Sequence, residues 1–228
     1  MKFDYYLFDL DNSLLNFPNP GEYFDNVLLE TVKRLTNAPL PGRKERDKFW
    51  LSGEKYIDML KNWGVGDVNH FWFHFDEIDF DSRKIHVSKD ELNLYHDVNE
   101  VLSELKEAGK KVAIISNAAD YIVEYIVKEF QISDLFDEMF GLGFDKEQGL
   151  AKPSPNGILR VLKKLNFNPE KYKAIMVGDS RLDIYAAKRA NISACLIKRE
   201  LNKYTDGYKK WEYKPDFEII HLDELLDL

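Results

Sequence analysis

Residues 5–14 read Tyr5-Tyr6-Leu7-Phe8-Asp9-Leu10-Asp11-Asn12-Ser13-Leu14, an unbroken apolar run that ends on two aspartates. A run without polar alternation suits a strand buried on both faces, and such strands belong to parallel sheets covered by helices. The pattern returns at residues 111–116 (KVAIIS), 173–178 (KAIMVG) and 192–197 (ISACLI), with shorter versions at 138–141 and 217–220. Amphipathic stretches separate these runs. Val98, Val101, Leu102 and Leu105 mark one helix face, with Gly109 placed as a C-cap. A second helix is predicted over 119–130, a third opens at Ser154-Pro155 and carries Ile158, Leu159, Leu162 and Leu165, a fourth covers 183–190, and residues 222–226 close the pattern. Strands and helices in this order predict an α/β fold, a doubly wound, mainly parallel sheet with helices on both faces.

The rhythm breaks once. From residue 16 to 89 the chain is helical and loop-like, with Phe24, Val27, Leu28, Val32 and Leu35 at helical spacing before Pro39-Leu40-Pro41-Gly42 ends that segment. The expected organisation is therefore a core domain of residues 1–15 and 90–228 with a small inserted α-helical domain at 16–89. A length of 228 residues suits one domain plus a smaller piece. Hydrophobic residues at 44% support a folded core. The net charge of -8 opposes unassisted nucleic-acid binding. Apolar runs are far shorter than the ~20 residues of a membrane span, no signal peptide is read, and the single cysteine, Cys195, fits a reducing cytoplasm as a small apolar strand residue. The expectation is a cytoplasmic protein, monomer or homodimer, with no nucleic-acid or membrane partner.

In an open parallel sheet, ligands sit beyond the carboxyl ends of the strands. Those ends carry Asp9 and Asp11, then Ser116-Asn117-Ala118, then Asp179-Ser180-Arg181-Leu182-Asp183; Ala151-Lys152-Pro153-Ser154-Pro155 lies between the last two. Each has an ordinary explanation alone: a solvated turn, a helix N-cap at Ser116-Asn117, a loop lysine, an acid in a helix first turn. Together they bring carboxylates, a hydroxyl and an ammonium to one cleft, the set that phosphoryl transfer through an aspartyl intermediate requires. Asp9, Asp179 and Asp183 can hold a hard cation such as Mg2+, which takes oxygen ligands. Asp9 is then a nucleophile toward phosphorus and Asp11 a general acid/base. Ser116, with the backbone N–H groups of Asn117 and Ala118 at a helix start, and Lys152 can bind phosphate oxygens. The prolines after Lys152 and Ser154 bias both residues toward extended backbone.

FDLDNSL, IISNA, AKPSP and VGDSRLD resemble, in order, the four motifs of the haloacid dehalogenase-like (HAD) superfamily, most of whose members are Mg2+-dependent phosphatases. The resemblance implies a HAD-like, Rossmann-type core with a helical cap at 16–89 and an overall likeness to the phosphoglycolate phosphatase-like branch. It implies Asp9 as nucleophile, Asp11 as general acid/base and, through its backbone carbonyl, a metal ligand, Ser116 and Lys152 as the phosphate-binding pair, and Asp179 as a metal ligand. Asp183 matches a position used either for the metal shell or to orient the lysine. Asn12 stands where Gly is common and Ser13 where Thr or Val is usual. The expected activity is hydrolysis of a small phosphorylated metabolite. A phosphomutase remains the alternative, with a haloacid dehalogenase or a non-catalytic HAD-like binding protein behind it. Asp11 favours phosphate chemistry, because the dehalogenases lack that second aspartate.

Other features carry less. Trp50, Trp63, Phe71, Trp72, Phe73 and Phe75 read as the insertion's own core rather than a substrate wall. His70 and His74 with Asp76 and Asp79 lack a third ligand at a recognisable offset. A calcium loop beginning at Asp9 fails at Leu14 and Pro20. Arg43, Lys44 and Arg46 read as a solvated cationic face. Residues 198–214 mix cations and aromatics in a long connection that reads as a loop flanking the cleft, with a lid or dimer contact as further options.

Overall fold

The computed structural model describes residues 1–50, 52, 55–143, 148–199 and 210–228. The chain opens with β1 (Tyr5–Phe8) and β2 (Leu15–Asn16). It continues through α1 (Pro20–Leu35), α2 (Arg43–Phe49), α3 (Tyr56–Asn62) and α4 (Phe71–Ser88). It then runs β3 (Asn93–Leu94), α5 (Val98–Glu107), β4 (Lys111–Ala119), α6 (Asp120–Glu129), β5 (Glu138–Leu142) and α7 (Asn156–Lys164). The last part comprises β6 (Ala174–Gly178), α8 (Arg181–Arg189), β7 (Ser193–Ile197), β8 (Phe217–Ile219) and a 3₁₀ turn at Leu222–Asp227. Two compact units result: residues 1–16 with 93–228, and residues 17–92. Leu15 and Asn16 pair antiparallel with Leu94 and Asn93, so both short strands belong to the larger unit.

In the larger unit the described strands form a sheet in the order β5-β4-β1-β6-β7-β8, with parallel neighbours throughout. All four residues of β1 and all five of β6 are buried. Alternation sends Tyr5, Leu7, Ala113, Ile115 and Met176 to one face, against Ile158, Val161 and Leu162 of α7 and Ile184, Ala186 and Ala187 of α8. Cys195 is buried in β7, and burial pushes its thiol pKa up, consistent with a packing role. From β1 the strand order runs to β4 and β5 on one side and to β6, β7 and β8 on the other. The switch point of the fold is thus the carboxyl end of β1, flanked by the ends of β4 and β6.

Three local differences from the sequence reading fall at those strand ends. β4 continues past Ser116 to Ala119, with a shift of register against β5 between Ile115 and Ala119. Such an irregularity re-aims side chains. The following helix starts at Asp120, with no side-chain cap, so Ser116 and Asn117 extend the strand rather than cap the helix. α8 starts at Arg181, ahead of the expected 183, because Ser180 caps it.

The smaller unit packs α1 against α4. Its centre includes Tyr23, Val27, Leu28, Val32, Phe49, Leu60, Trp63, Phe71 and Phe75, all buried, with Phe49 stacked on Trp63 at 5.6 Å. Of the six aromatics singled out in the sequence, Trp63, Phe71 and Phe75 are thus buried in the unit's own core, Trp72 and Phe73 are half-buried and Trp50 is exposed. Arg43 and Lys44 are exposed, as a solvated face requires, whereas Arg46 is largely covered; Arg43 and Arg46 both pair with the buried carboxylate of Asp25, at 3.0 and 2.7 Å, tying α2 to α1. His70 pairs with Asp67, and among the described residues neither His70 nor His74 joins a metal-ligating group of three. No helix among the described residues is long and apolar enough to cross a membrane.

Candidate active site

Asp9 leaves the end of β1 buried, and its N–H donates to Val177 O of β6 at 2.9 Å. The chain then turns tightly: Leu14 N and Leu15 N both donate to Leu10 O, and Asn12 N donates to Leu15 O at 2.7 Å. Asn12 takes the left-handed conformation at φ 57°, which Gly and Asn tolerate best. That accounts for asparagine at a position where glycine is common.

Lys152 is buried, and its ammonium donates to Asp9 Oδ1 and to Asp183 Oδ1, each at 2.6 Å. Its backbone is fixed by the Asn117 side chain, which accepts from Lys152 N at 2.8 Å and donates to Lys152 O at 3.0 Å. Arg189 Nη1 donates to Pro153 O at 3.1 Å, which ties the same loop to α8. Asp183, fully buried, also accepts through Oδ2 from Ser180 N at 3.0 Å and from Ser180 Oγ at 2.6 Å. Gly178 makes room for it, since a Cβ there would collide with Cβ and Cγ of Asp183. Asp179 Oδ2 accepts from Asn12 Nδ2 at 2.8 Å.

One oxygen from each of Asp9, Asp179 and Asp183 lies within 4.8 Å of the others, and all three residues are buried. Burial first, and then the Asp183, Asp179 and Asp11 charges, raise the Asp9 pKa well above the ordinary carboxylate range, although Lys152 opposes them. The Lys152 ammonium is held charged by Asp183 and Asp9 against the cost of its own burial. Three buried carboxylates against one ammonium leave excess negative charge in a dry site. A hard cation with oxygen preference would neutralise it, so the residues fit Mg2+.

Asp9, Lys152, Asp179 and Asp183 thus come together. Asp11 stands outside the three-carboxylate group, although its charge is felt at Asp9. Ser116 is buried within β4, which runs on to Ala119, and its Oγ accepts from Ala118 N at 3.1 Å, so that N–H is bonded locally and does not open a helix. Ser13 Oγ is buried with no hydrogen-bond partner among the described residues. The sequence reading missed the side-chain roles of Asn12 and Asn117, the cap at Ser180 and the part played by Arg199. Nucleophilic attack by a buried carboxylate and charge neutralisation by Lys152 and a cation are chemistry this arrangement allows.

Residues 198–214 divide. The Arg199 side chain, 3% exposed, pairs with Asp97, and Trp211 and Tyr213 pack their rings near Tyr185. Lys203, Tyr204, Tyr208 and Lys209, and with them most of the expected loop flanking the cleft, lie outside the described residues.

The family profile of haloacid dehalogenase-like hydrolases matches residues 6–197. Pyrophosphatase PpaX of Bacillus thuringiensis (strain Al Hakam) is 28% identical over 100% of this chain and 97% of its own length. In fold, the chain is similar to CbbY from Rhodobacter sphaeroides in complex with phosphate, with TM-score 0.72, 21% identity and coverage of 99% and 100%. It is also similar to a predicted phosphoglycolate phosphatase from Haemophilus somnus 129pt, with TM-score 0.64, 22% identity and coverage of 100% and 98%.

Proposed function

The chain belongs to the haloacid dehalogenase-like hydrolases, and from that premise we propose that it is a Mg2+-dependent phosphatase working through a phosphoryl group carried on Asp9. The observation that carries this reading is the buried Asp9–Lys152–Asp183 contact beside Asp179 at the switch point of the sheet. Asp9, Asp179 and the Asp11 backbone carbonyl would hold the cation, with Asp183 at the edge of its shell. Both Asp183 oxygens already serve Lys152 and Ser180, which supports the lysine-orienting role. Bound Mg2+ would offset the charge of the incoming phosphate.

An Asp9 oxygen attacks phosphorus as the bond from phosphorus to the leaving oxygen breaks, and Asp11 gives that oxygen its proton. Asp11 then takes a proton from water as the water attacks phosphorus; the Asp9–phosphorus bond breaks, and inorganic phosphate leaves with Asp9 restored. Lys152 and Ser116 hold phosphoryl oxygens through both steps. A small phosphorylated metabolite is the substrate class. The likeness to PpaX adds pyrophosphate, and the single cysteine supports a cytoplasmic setting.

The test is phosphate release from para-nitrophenyl phosphate, pyrophosphate, phosphoglycolate and sugar phosphates, with Mg2+ and with a chelator. Turnover that needs Mg2+ and falls at least about 1,000-fold in Asp9→Asn is expected. Full activity in Asp9→Asn, or none on any substrate by the wild type, rejects the reading. An isomerised sugar phosphate without phosphate release would instead establish the mutase.

A further inference from the structure

Asn12 does more than fit a left-handed turn. It is buried, and both ends of its carboxamide are engaged: Nδ2 donates to Asp179 Oδ2 at 2.8 Å, and Oδ1 accepts from the Tyr95 hydroxyl at 3.0 Å. Tyr95 is itself held. Its N–H donates to Leu14 O at 3.0 Å, and the Arg199 guanidinium lies 4.0 Å from its ring centroid. Arg199 grips Asp97 through two bonds of 2.7 Å, and its Nε and Nη2 donate to Ser13 O at 3.2 and 3.1 Å. The Arg199 and Asp97 side chains are 3% and 7% exposed, so little water competes for these bonds. The turn carrying Asp11 and Asn12 is therefore braced by an arginine from beyond β7 and by a tyrosine from the segment before α5.

A carboxylate that gives one oxygen to a fixed amide donor cannot turn freely, and the outer partners of a ligand set its orientation. We propose that Tyr95 and Asn12 are positioning residues: the Tyr95 hydroxyl fixes the Asn12 carboxamide, and Asn12 fixes the Asp179 carboxylate in the orientation in which it receives the divalent cation. The inference deepens the phosphatase reading and rests on its assignment of Asp179 as a ligand. A glycine at position 12 would satisfy the backbone and make neither bond.

The experiment titrates the full chain with Mn2+, a paramagnetic ion that carboxylates accept in place of Mg2+, and follows free Mn2+ by electron paramagnetic resonance. Thermal unfolding without metal is recorded beside it. Asn12→Gly should weaken Mn2+ binding about 10- to 100-fold, the range for loss of a ligand's outer partner; glycine keeps the backbone of the turn, so a cooperative unfolding transition, at a Tm lowered by the two lost bonds, should show that the variant is folded. Tyr95→Phe keeps the ring on Arg199 and loses only the hydroxyl, so it should weaken binding by a smaller factor. The double variant should bind like Asn12→Gly alone, since the two bonds act in series. Unchanged Mn2+ affinity in folded Asn12→Gly overturns the inference, and so does a double variant whose losses multiply. If Asn12→Gly does not fold, Tyr95→Phe decides: weaker binding supports the link and unchanged affinity overturns it. A wild type that binds Mn2+ but releases no phosphate overturns the phosphatase reading alone, because metal affinity is scored without turnover.

Discussion

Lys152 is the residue on which the site's charge balance turns. Its ammonium is the partner of both Asp9 and Asp183 at 2.6 Å, with almost no water to replace it. Removing one partner of a buried ion pair costs about 3–5 kcal/mol, chiefly because the remaining charge is left uncompensated. Lys152→Met should therefore lower metal-free stability by that order in urea unfolding and reduce turnover by about 100-fold or more. Lys152→Met combined with Asp183→Asn should regain much of the stability and none of the turnover. A double variant less stable than Lys152→Met would show that the loss is packing rather than charge. At this scale the gathering of Asp9, Lys152, Asp179 and Asp183 was legible, since carboxylates at strand ends and a lysine in the loop between them converge on one cleft. The side-chain roles of Asn12 and Asn117 were not, because an asparagine in a turn or a strand reads as local until the partner of its side chain, Asp179 or Lys152, is brought to it from far away in sequence.

Among the elements, α8 bears most directly on the site, and its first turn is where local and tertiary requirements coincide. Ser180 Oγ accepts from Leu182 N at 3.2 Å, and Asp183 Oδ2 returns to Ser180 N at 3.0 Å, a reciprocal cap of the kind that fixes where a helix begins. The same Asp183 anchors Lys152 through its other oxygen. Ser180→Ala should cost about 1 kcal/mol of stability and also lower turnover, because Asp183 loses its 2.6 Å hydroxyl donor. Ser180→Thr, which keeps the oxygen, should restore both. A stability loss with unaltered turnover would reduce Ser180 to a helix cap alone. Element types were readable from periodicity, as β1 and β6 show by their continuous burial. The ends were less so. The extension of β4 depends on its register against β5, and the start of α8 depends on a cap that reads in sequence as part of a catalytic motif.

For the whole molecule, four acids with shifted pKa fall into two groups with opposite pH dependence. Asp25 is held below the usual carboxylate range by its hydrogen bonds to Arg46 and by Arg43. Burial opposes the same shift at Asp97 and Asp137, but Arg199 and the Leu222 N–H lower the first, and the Val112 N–H, Lys106 and Lys111 lower the second. A carboxylate with a depressed folded pKa contributes stability above its unfolded pKa, ~3.9, and loses it as pH falls through the folded value. These three therefore set an acid limb. Asp9 has the reverse sign. Burial and three neighbouring acids raise its pKa, so its favourable contribution is present below ~3.9 and is lost as pH rises through the folded value. The metal-free protein should be most stable in mild acid and weaken toward neutrality, where unneutralised charge accumulates around Asp9. Mg2+ bound in proportion to that charge should restore the neutral limb. At 100 times its Kd it would add ~2.7 kcal/mol, roughly 5–10 °C in Tm for a chain of this size. Melting curves from pH 3 to 8 with chelator and with Mg2+ measure both limbs. The Mg2+ increment should be largest near pH 7.5 and shrink toward pH 5, because protons compete for the carboxylates. In Asp9→Asn the increment should shrink, and Tm in chelator at pH 7.5 should rise above the wild type. An increment independent of pH would place cation binding away from Asp9.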